Sequence, residues 1–150
     1  PNGKLTPQLS SLKPGDDIYI SEPFGNFICN ESTAWWIASG TGIAPFVSMI
    51  RSGKGINNKL IHGGRSDENF YFSEIISETL SAANYIRCAS QQPDTPHYRG
   101  RLTSWMREQK LFPSEIKYYL CGSAEMVVEV RDLLISKAIP FQQIISETYY

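Results

Sequence analysis

The chain is poor in the features that mark an extracellular, membrane-bound or nucleic-acid-binding protein. Among its 150 residues are three cysteines, Cys29, Cys88 and Cys121. An odd count at wide spacing fits neither a disulfide framework nor a zinc site, and a reducing compartment is the simpler expectation. No apolar run approaches the ~18 residues that a membrane-spanning helix requires, and no basic-then-apolar leader opens the chain. We therefore expect a cytoplasmic protein that engages no membrane. An excess of charge is lacking too, since 14 basic against 15 acidic residues leave a formal net charge of −1. Without a global basic field nucleic acid is not an expected partner, and a charged ligand must be met locally. The two histidines, His62 and His97, stand with Cys88 and Glu78 at no metal-ligand or Cys-His spacing, so no metal is expected.

What is present is an alternation of short apolar runs with amphipathic ones. "AWWIA" from Ala34, "KLIHG" from Lys59, "YIRCA" from Tyr85 and "KYYLCG" ending at Gly122 read as strands, and "IIS" from Ile144 as a last short one. Between them "IAPFVSMIR", "SEIISETL" with Ser73 as N-cap, and "RLTSWMREQ" read as helices. Met126, Val127, Val130, Leu133 and Leu134 share one face of a further helix running to about Lys137. Such alternation predicts an α/β fold, a five-stranded parallel sheet with helices on both faces. Trp35 and Trp36, adjacent on a strand, should pack on opposite faces as core. Ligands of such sheets collect beyond the carboxyl ends of the strands, which points to Ser39 to Ala44, His62 to Arg65, and Cys121 to Ala124.

Residues 1–31 stand apart from this pattern. A Pro-Gly-Asp turn precedes the alternating "DIYIS", and Pro and Gly follow it, which reads as antiparallel β-barrel or hairpin material. Two strands cannot bury a face alone. With Pro1 rather than Met at the start, we expect the remnant of a barrel from a longer protein, followed by an α/β domain over residues 32–150.

In "ASGTGIAPF" an apolar strand runs through glycines into a helix. Gly40 and Gly42 would admit a bulky anion close to the backbone, with the N–H groups of Thr41, Gly42, Ile43 and Ala44 facing it and Pro45 in the first helical turn. The third glycine of the ordinary dinucleotide fingerprint is absent, Pro45 standing in its place. A tight strand-to-helix turn without a ligand has the same local sequence.

Taken in order, "GKLTPQL", "LKPGDDIYI", "GTGIAPFVSMIR", "LIHGGRS", "GRL", "YLCGSAEMV" and the terminal "ETYY" resemble the ferredoxin–NADP⁺ reductase family, flavoproteins with an FAD-binding barrel and a nicotinamide-nucleotide domain. The resemblance covers nearly the whole chain but not the first barrel segment with its Arg-x-Tyr-Ser flavin motif. It implies FAD in the full-length protein, NADP(H) or alternatively NAD(H) as hydride partner, and a ferredoxin or flavodoxin as electron carrier. It implicates Lys4, Leu5 and Thr6 at the FAD pyrophosphate, and Gly40, Thr41, Gly42 and Pro45 at the pyrophosphate of the nicotinamide nucleotide. Cys121 and Gly122 would lie beside the nicotinamide and Glu147 near the reacting rings. Tyr149 would stack on the isoalloxazine, with Tyr150 an extra residue toward the FAD adenine. Cys121 has no basic neighbour in sequence to make a thiolate, so a positioning role is expected of it.

NADP-using members carry Ser-Arg at the end of the third strand, whereas this chain has Ser90 followed by Gln91. Arg101 matches a second family arginine, and Arg65 and Arg99 are further candidates for the 2′-phosphate. Arg51, Lys54 and Lys59 form a loose basic group that suits an acidic carrier or is simply a solvated loop. The alternatives are an NADH-dependent reductase component of an oxygenase system and a nucleotide-binding module without turnover. The piece alone is expected to be inactive.

Overall fold

The computed structural model describes residues 5–22 and 25–149. A short helix α1 (Leu5–Ser11) comes first. The α/β part follows as β1 (Ala34–Ser39), α2 (Ala44–Arg51), β2 (Lys59–Gly64), α3 (Ser73–Thr79) and β3 (Tyr85–Ala89). After these come β4 (Tyr98–Arg99), α4 (Leu102–Glu108), β5 (Lys117–Ser123), α5 (Ala124–Ser136) and β6 (Ile144–Tyr149). All neighbours are parallel in one sheet of order β4-β3-β2-β1-β5-β6.

The sheet has six strands rather than the five expected. The additional one is β4, whose two residues are too few to show a period of two in sequence; it is held by pairing Cys88 with Tyr98 and Ala89 with Arg99. Helix α3 also starts differently. Ile76 N–H donates to the Phe72 carbonyl (3.1 Å), so the ladder begins one residue before Ser73, and Phe72 takes the cap position in the left-handed region (φ 61°). No strand forms between α1 and β1 among the described residues, although "DIYIS" alternates. A strand needs a hydrogen-bonding neighbour, and none runs beside this segment; Ile18, Tyr19 and Ile20 are exposed accordingly.

Strand β1 is buried on both faces, as a central strand of a covered parallel sheet must be. Trp36 and Ala38 face α2 and α3, packing with Phe46, Val47, Ile50 and Ile76. Trp35 and Ile37 face α4 and α5, packing with Leu102, Met106, Val130 and Leu134. The two tryptophans thus anchor opposite cores. Polar side chains tie the preceding loop to the sheet. The Asn58 carbonyl accepts the Ala34 N–H (2.8 Å), and Glu31 accepts the Tyr119 hydroxyl (2.6 Å) and pairs with Lys117 (2.5 Å). Burial pushes the Glu31 carboxyl up, but Lys117 and Tyr119 outweigh it and hold its pKa at about 2.

His62 is fully buried in β2, its Nδ1 3.0 Å from the Tyr85 hydroxyl and its Nε2 without a hydrogen-bond partner among the described residues. Burial, aided by the charge of Arg87, lowers its pKa to about 4. Between pH 6.5 and 4 the unfolded chain therefore binds a proton that the native state does not. Stability is unaffected by this group above pH 6.5 and falls by about 3 kcal/mol as pH drops through that window. Thermal melts should show this decline in the wild type and a much flatter one in His62→Gln; equal slopes would assign the decline to other groups.

Candidate functional site

The sheet order reverses at β1: the chain steps outward to β2, β3 and β4, then returns to place β5 on the other side. Such a reversal leaves a crevice between the carboxyl ends of β1 and β5, because the connections leave in opposite directions. A cleft of about 520 Å³ lies along these strand ends, lined by Ser39, Gly40, Thr41, Gly63, Gly64, Arg65, Ser90, Arg101, Ser123 and Tyr149. Each of the three strand ends singled out from the sequence contributes to it.

The turn after β1 is a single 3-10 turn, Gly40–Ile43, leading directly into α2. Gly40 adopts φ 55°, the left-handed region, with open space where a Cβ would stand. Gly42 is glycine for a different reason from the one expected. A Cβ there would lie 2.2 Å from the Cys121 carbonyl oxygen and 2.5 Å from the Gly122 nitrogen, so it is the peptide of β5, not an anion, that fills the space. Ile43 is core, and the Ala44 N–H already donates to the Thr41 carbonyl. Gly40 and Thr41 are consequently the part of the loop that faces the cleft, while Pro45 lines a second hollow.

That second hollow, about 750 Å³, is bounded by Gly25, Phe27, Pro45, Met49, Lys54, Glu147 and Tyr149. Tyr149 alone among the described residues lines both spaces. Its position follows from the β5–β6 register, which sets Cys121 opposite Glu147, Gly122 opposite Thr148 and Ser123 opposite Tyr149. Cys121 is fully buried. Burial first, then the Glu147 charge, pushes its thiol up to about 11, against a smaller opposing effect of the Tyr149 hydroxyl beside it. Burial of this kind favours the thiol over the thiolate at neutral pH.

The charged lining is uneven. Arg65 makes no ion pair among the described residues, whereas Arg101 donates to Glu125 (2.9 Å) and lies 3.8 Å from Glu129. Arg99 does not line the cleft. The Ser90 hydroxyl donates to the Gly64 carbonyl (3.1 Å). Several lining residues escaped the sequence reading of the site, among them Asn69, Tyr71, Thr103 and Glu129. Asn69 was detectable, since Ser66 and Asn69 have capping-box spacing, and its side chain accepts the Arg65 and Ser66 N–H groups (3.2 and 3.0 Å). Arg51, Lys54 and Lys59 do not act as one group; each is engaged separately, with Phe72, Asn30 and Trp35. Lys4 and Tyr150 lie outside the described residues; Leu5 and Thr6 begin α1, Leu5 being exposed. Among the described residues no cluster of three or more His, Cys, Asp or Glu could hold a metal, and no helix is long and apolar enough to cross a membrane.

An all-parallel sheet, covered on both faces and opening a cleft at its reversal point, defines an α/β nucleotide-binding domain. The chain belongs to the oxidoreductase NAD-binding domain family, whose profile matches residues 36–132. It is 29% identical over 160 residues to a ferredoxin–NADP reductase of Azotobacter vinelandii, covering 89% of this chain and 62% of that protein. Similarity to a flavodoxin/ferredoxin–NADP reductase of Escherichia coli is 36% over 87 residues, 52% of this chain and 35% of the other. The chain thus spans less than two thirds of either relative. Among solved structures, the CS-b5R domains of human Ncb5or in the NAD+ form superpose with a TM-score of 0.75 at 21% identity, over 97% of this chain and 46% of that one.

The contact between Gly42 and β5 should dominate the energetics of the loop. Gly42→Ala should cost about 2–3 kcal/mol, because backbone on both sides must shift. Gly40→Ala should cost about 1 kcal/mol, the left-handed conformation alone. Denaturant unfolding of both variants checks the order; a harmless Gly42→Ala would refute the close packing.

Proposed function

We propose that this chain is the nicotinamide-nucleotide part of a flavin-dependent oxidoreductase that exchanges hydride between NADP(H) and FAD and passes electrons to a ferredoxin or flavodoxin. Residues 1–31 are then the end of the FAD-binding barrel and 32–150 the NADP(H)-binding domain. The observation that carries this reading is Tyr149, whose ring borders both the strand-end cleft and the second hollow. An aromatic at that boundary suits a flat ring system on one side and a nucleotide on the other.

The residues present fit both groups. Gly40 and Thr41 offer backbone to a pyrophosphate, with Arg65, Ser90 and Arg101 toward the adenosine end; Gly122, where a Cβ would meet Ser39, lets β5 close up behind them. FAD, when bound, supplies the conversion between a two-electron hydride and single electrons. The protein orients and shields. Cys121, a buried neutral thiol, belongs to the core behind the site and offers no nucleophile. Glu147, half-buried on β6 opposite Cys121, is placed to accept a hydrogen bond from a carboxamide or to hold a proton. Tyr149, which lines both spaces, would lie against a flavin bound in the second hollow and would have to move aside for a nicotinamide, the role of a gate. We assign the protein to the cytoplasm, a reducing compartment that suits three buried free thiols.

A second reading, an NADH-dependent reductase, is favoured by Gln91 at the position of the expected arginine and by the engagement of Arg101 with glutamates. The full-length protein decides among these readings. We expect a yellow preparation whose flavin absorbance bleaches anaerobically with NADPH; bleaching with NADH alone supports the second reading, and a colourless protein supports a binding module. In the full-length protein Tyr149→Ser should tighten NADP⁺ binding about three- to tenfold, the equivalent of one aromatic contact of roughly 0.5–1.5 kcal/mol. Unchanged or weaker binding would refute the gate.

A further inference from the structure

Arg101 is the cation of the cleft that sits at the start of α4, and it does not face an incoming ligand unencumbered. Its guanidinium donates to Glu125 at 2.9 Å and lies 3.8 Å from Glu129, both on α5, while Glu129 is held in turn by Arg107 at 2.6 Å. Glu129 lines the cleft itself. The two glutamates differ in their surroundings. The Glu129 side chain is three-quarters buried and bridges α4 to α5, whereas that of Glu125 is 75% exposed and, among the described residues, pairs with Arg101 alone. A dianionic phosphate at Arg101 must therefore compete with a carboxylate already in contact and stay within a few ångströms of a second. A nucleotide without that phosphate meets neither cost.

We propose that Glu125 is a selectivity residue that withholds Arg101 from the 2′-phosphate of a dinucleotide, so that the cleft distinguishes phosphorylated from unphosphorylated adenosine only weakly. The inference rests on the reading of the cleft as a nucleotide site, and it concerns the adenosine end alone. Glu129 keeps Arg107 and the α4–α5 contact in place, which leaves Glu125 as the part of the network that can be removed without loosening the fold.

Calorimetric titration of this chain with adenosine 2′,5′-bisphosphate and, in parallel, with 5′-AMP tests the assignment. In Glu125→Gln the bisphosphate should bind about fivefold tighter, the upper range for an exposed ion pair, while 5′-AMP binds as to the wild type. Asp132→Asn, two turns further along α5, removes the same charge away from Arg101 and should change neither affinity. Adding Arg101→Ala to Glu125→Gln should abolish the gain. A gain absent, shared equally by both ligands, reproduced by Asp132→Asn, or surviving without Arg101 would overturn the proposal while leaving the nucleotide site standing. Binding of neither ligand by the wild type would instead overturn the nucleotide site and this inference with it.

Discussion

The approach of Gly42 to the Cys121–Gly122 peptide is the contact on which the arrangement of the cleft depends. Two strand ends from separate parts of the chain meet there without side chains between them. Gly122 makes the reciprocal demand, since a Cβ on it would lie 2.3 Å from the Ser39 hydroxyl and 2.9 Å from the Ser39 carbonyl oxygen. Once β1 and β5 are locked at this separation, the crevice of the reversal point has a fixed width. The register of β6 on β5 then sets Tyr149 at its edge and Glu147 in the second hollow. A slip of one residue would turn every β6 side chain to the other face, because strand side chains alternate.

Electrostatics above this frame are local, as a nearly neutral chain requires. Arg65 and Arg101 line the same cleft, yet one is without an ion-pair partner among the described residues and the other is bound to two glutamates. Exposed pairs contribute little to stability, so the Arg101 network matters more for what the cleft admits than for folding. The buried polar groups behave differently. His62 is kept neutral below the sheet surface, and Glu31 is kept charged by Lys117 and Tyr119, so each resists the change of protonation that its neighbours would not tolerate.

The parts legible in sequence are those with a repeating pattern or a sharp stop. The apolar runs of β1, β2, β3 and β5 and the face of α5 announced themselves by period, and Pro45 marked the first turn of α2. Strand β4 was not legible because two residues carry no period, and "DIYIS", which alternates, forms no strand here because alternation yields one only where a neighbour supplies hydrogen bonds. The loop was recognised but its glycines were assigned one common purpose, when Gly40 answers to a backbone angle and Gly42 to the β5 peptide. Contacts across distance were the least visible: Arg101 and Glu125 are 24 residues apart, and nothing local in either segment connects them.

Why an aromatic side chain near the chain end is ordered at all follows from the same geometry. Strand β6 lies at the sheet edge and is held by β5 alone, yet six consecutive residues pair, ending at Tyr149. The backbone is therefore fixed to its last paired residue while the ring is only half-buried, resting against the core beside Cys121. A fully buried ring would cost roughly 2–3 kcal/mol to lift out, and a partly exposed one costs less, within reach of a ligand that covers the same surface. An edge strand anchored by its ladder, with a side chain committed on one face only, gives the ring a defined resting position and a low barrier to leaving it.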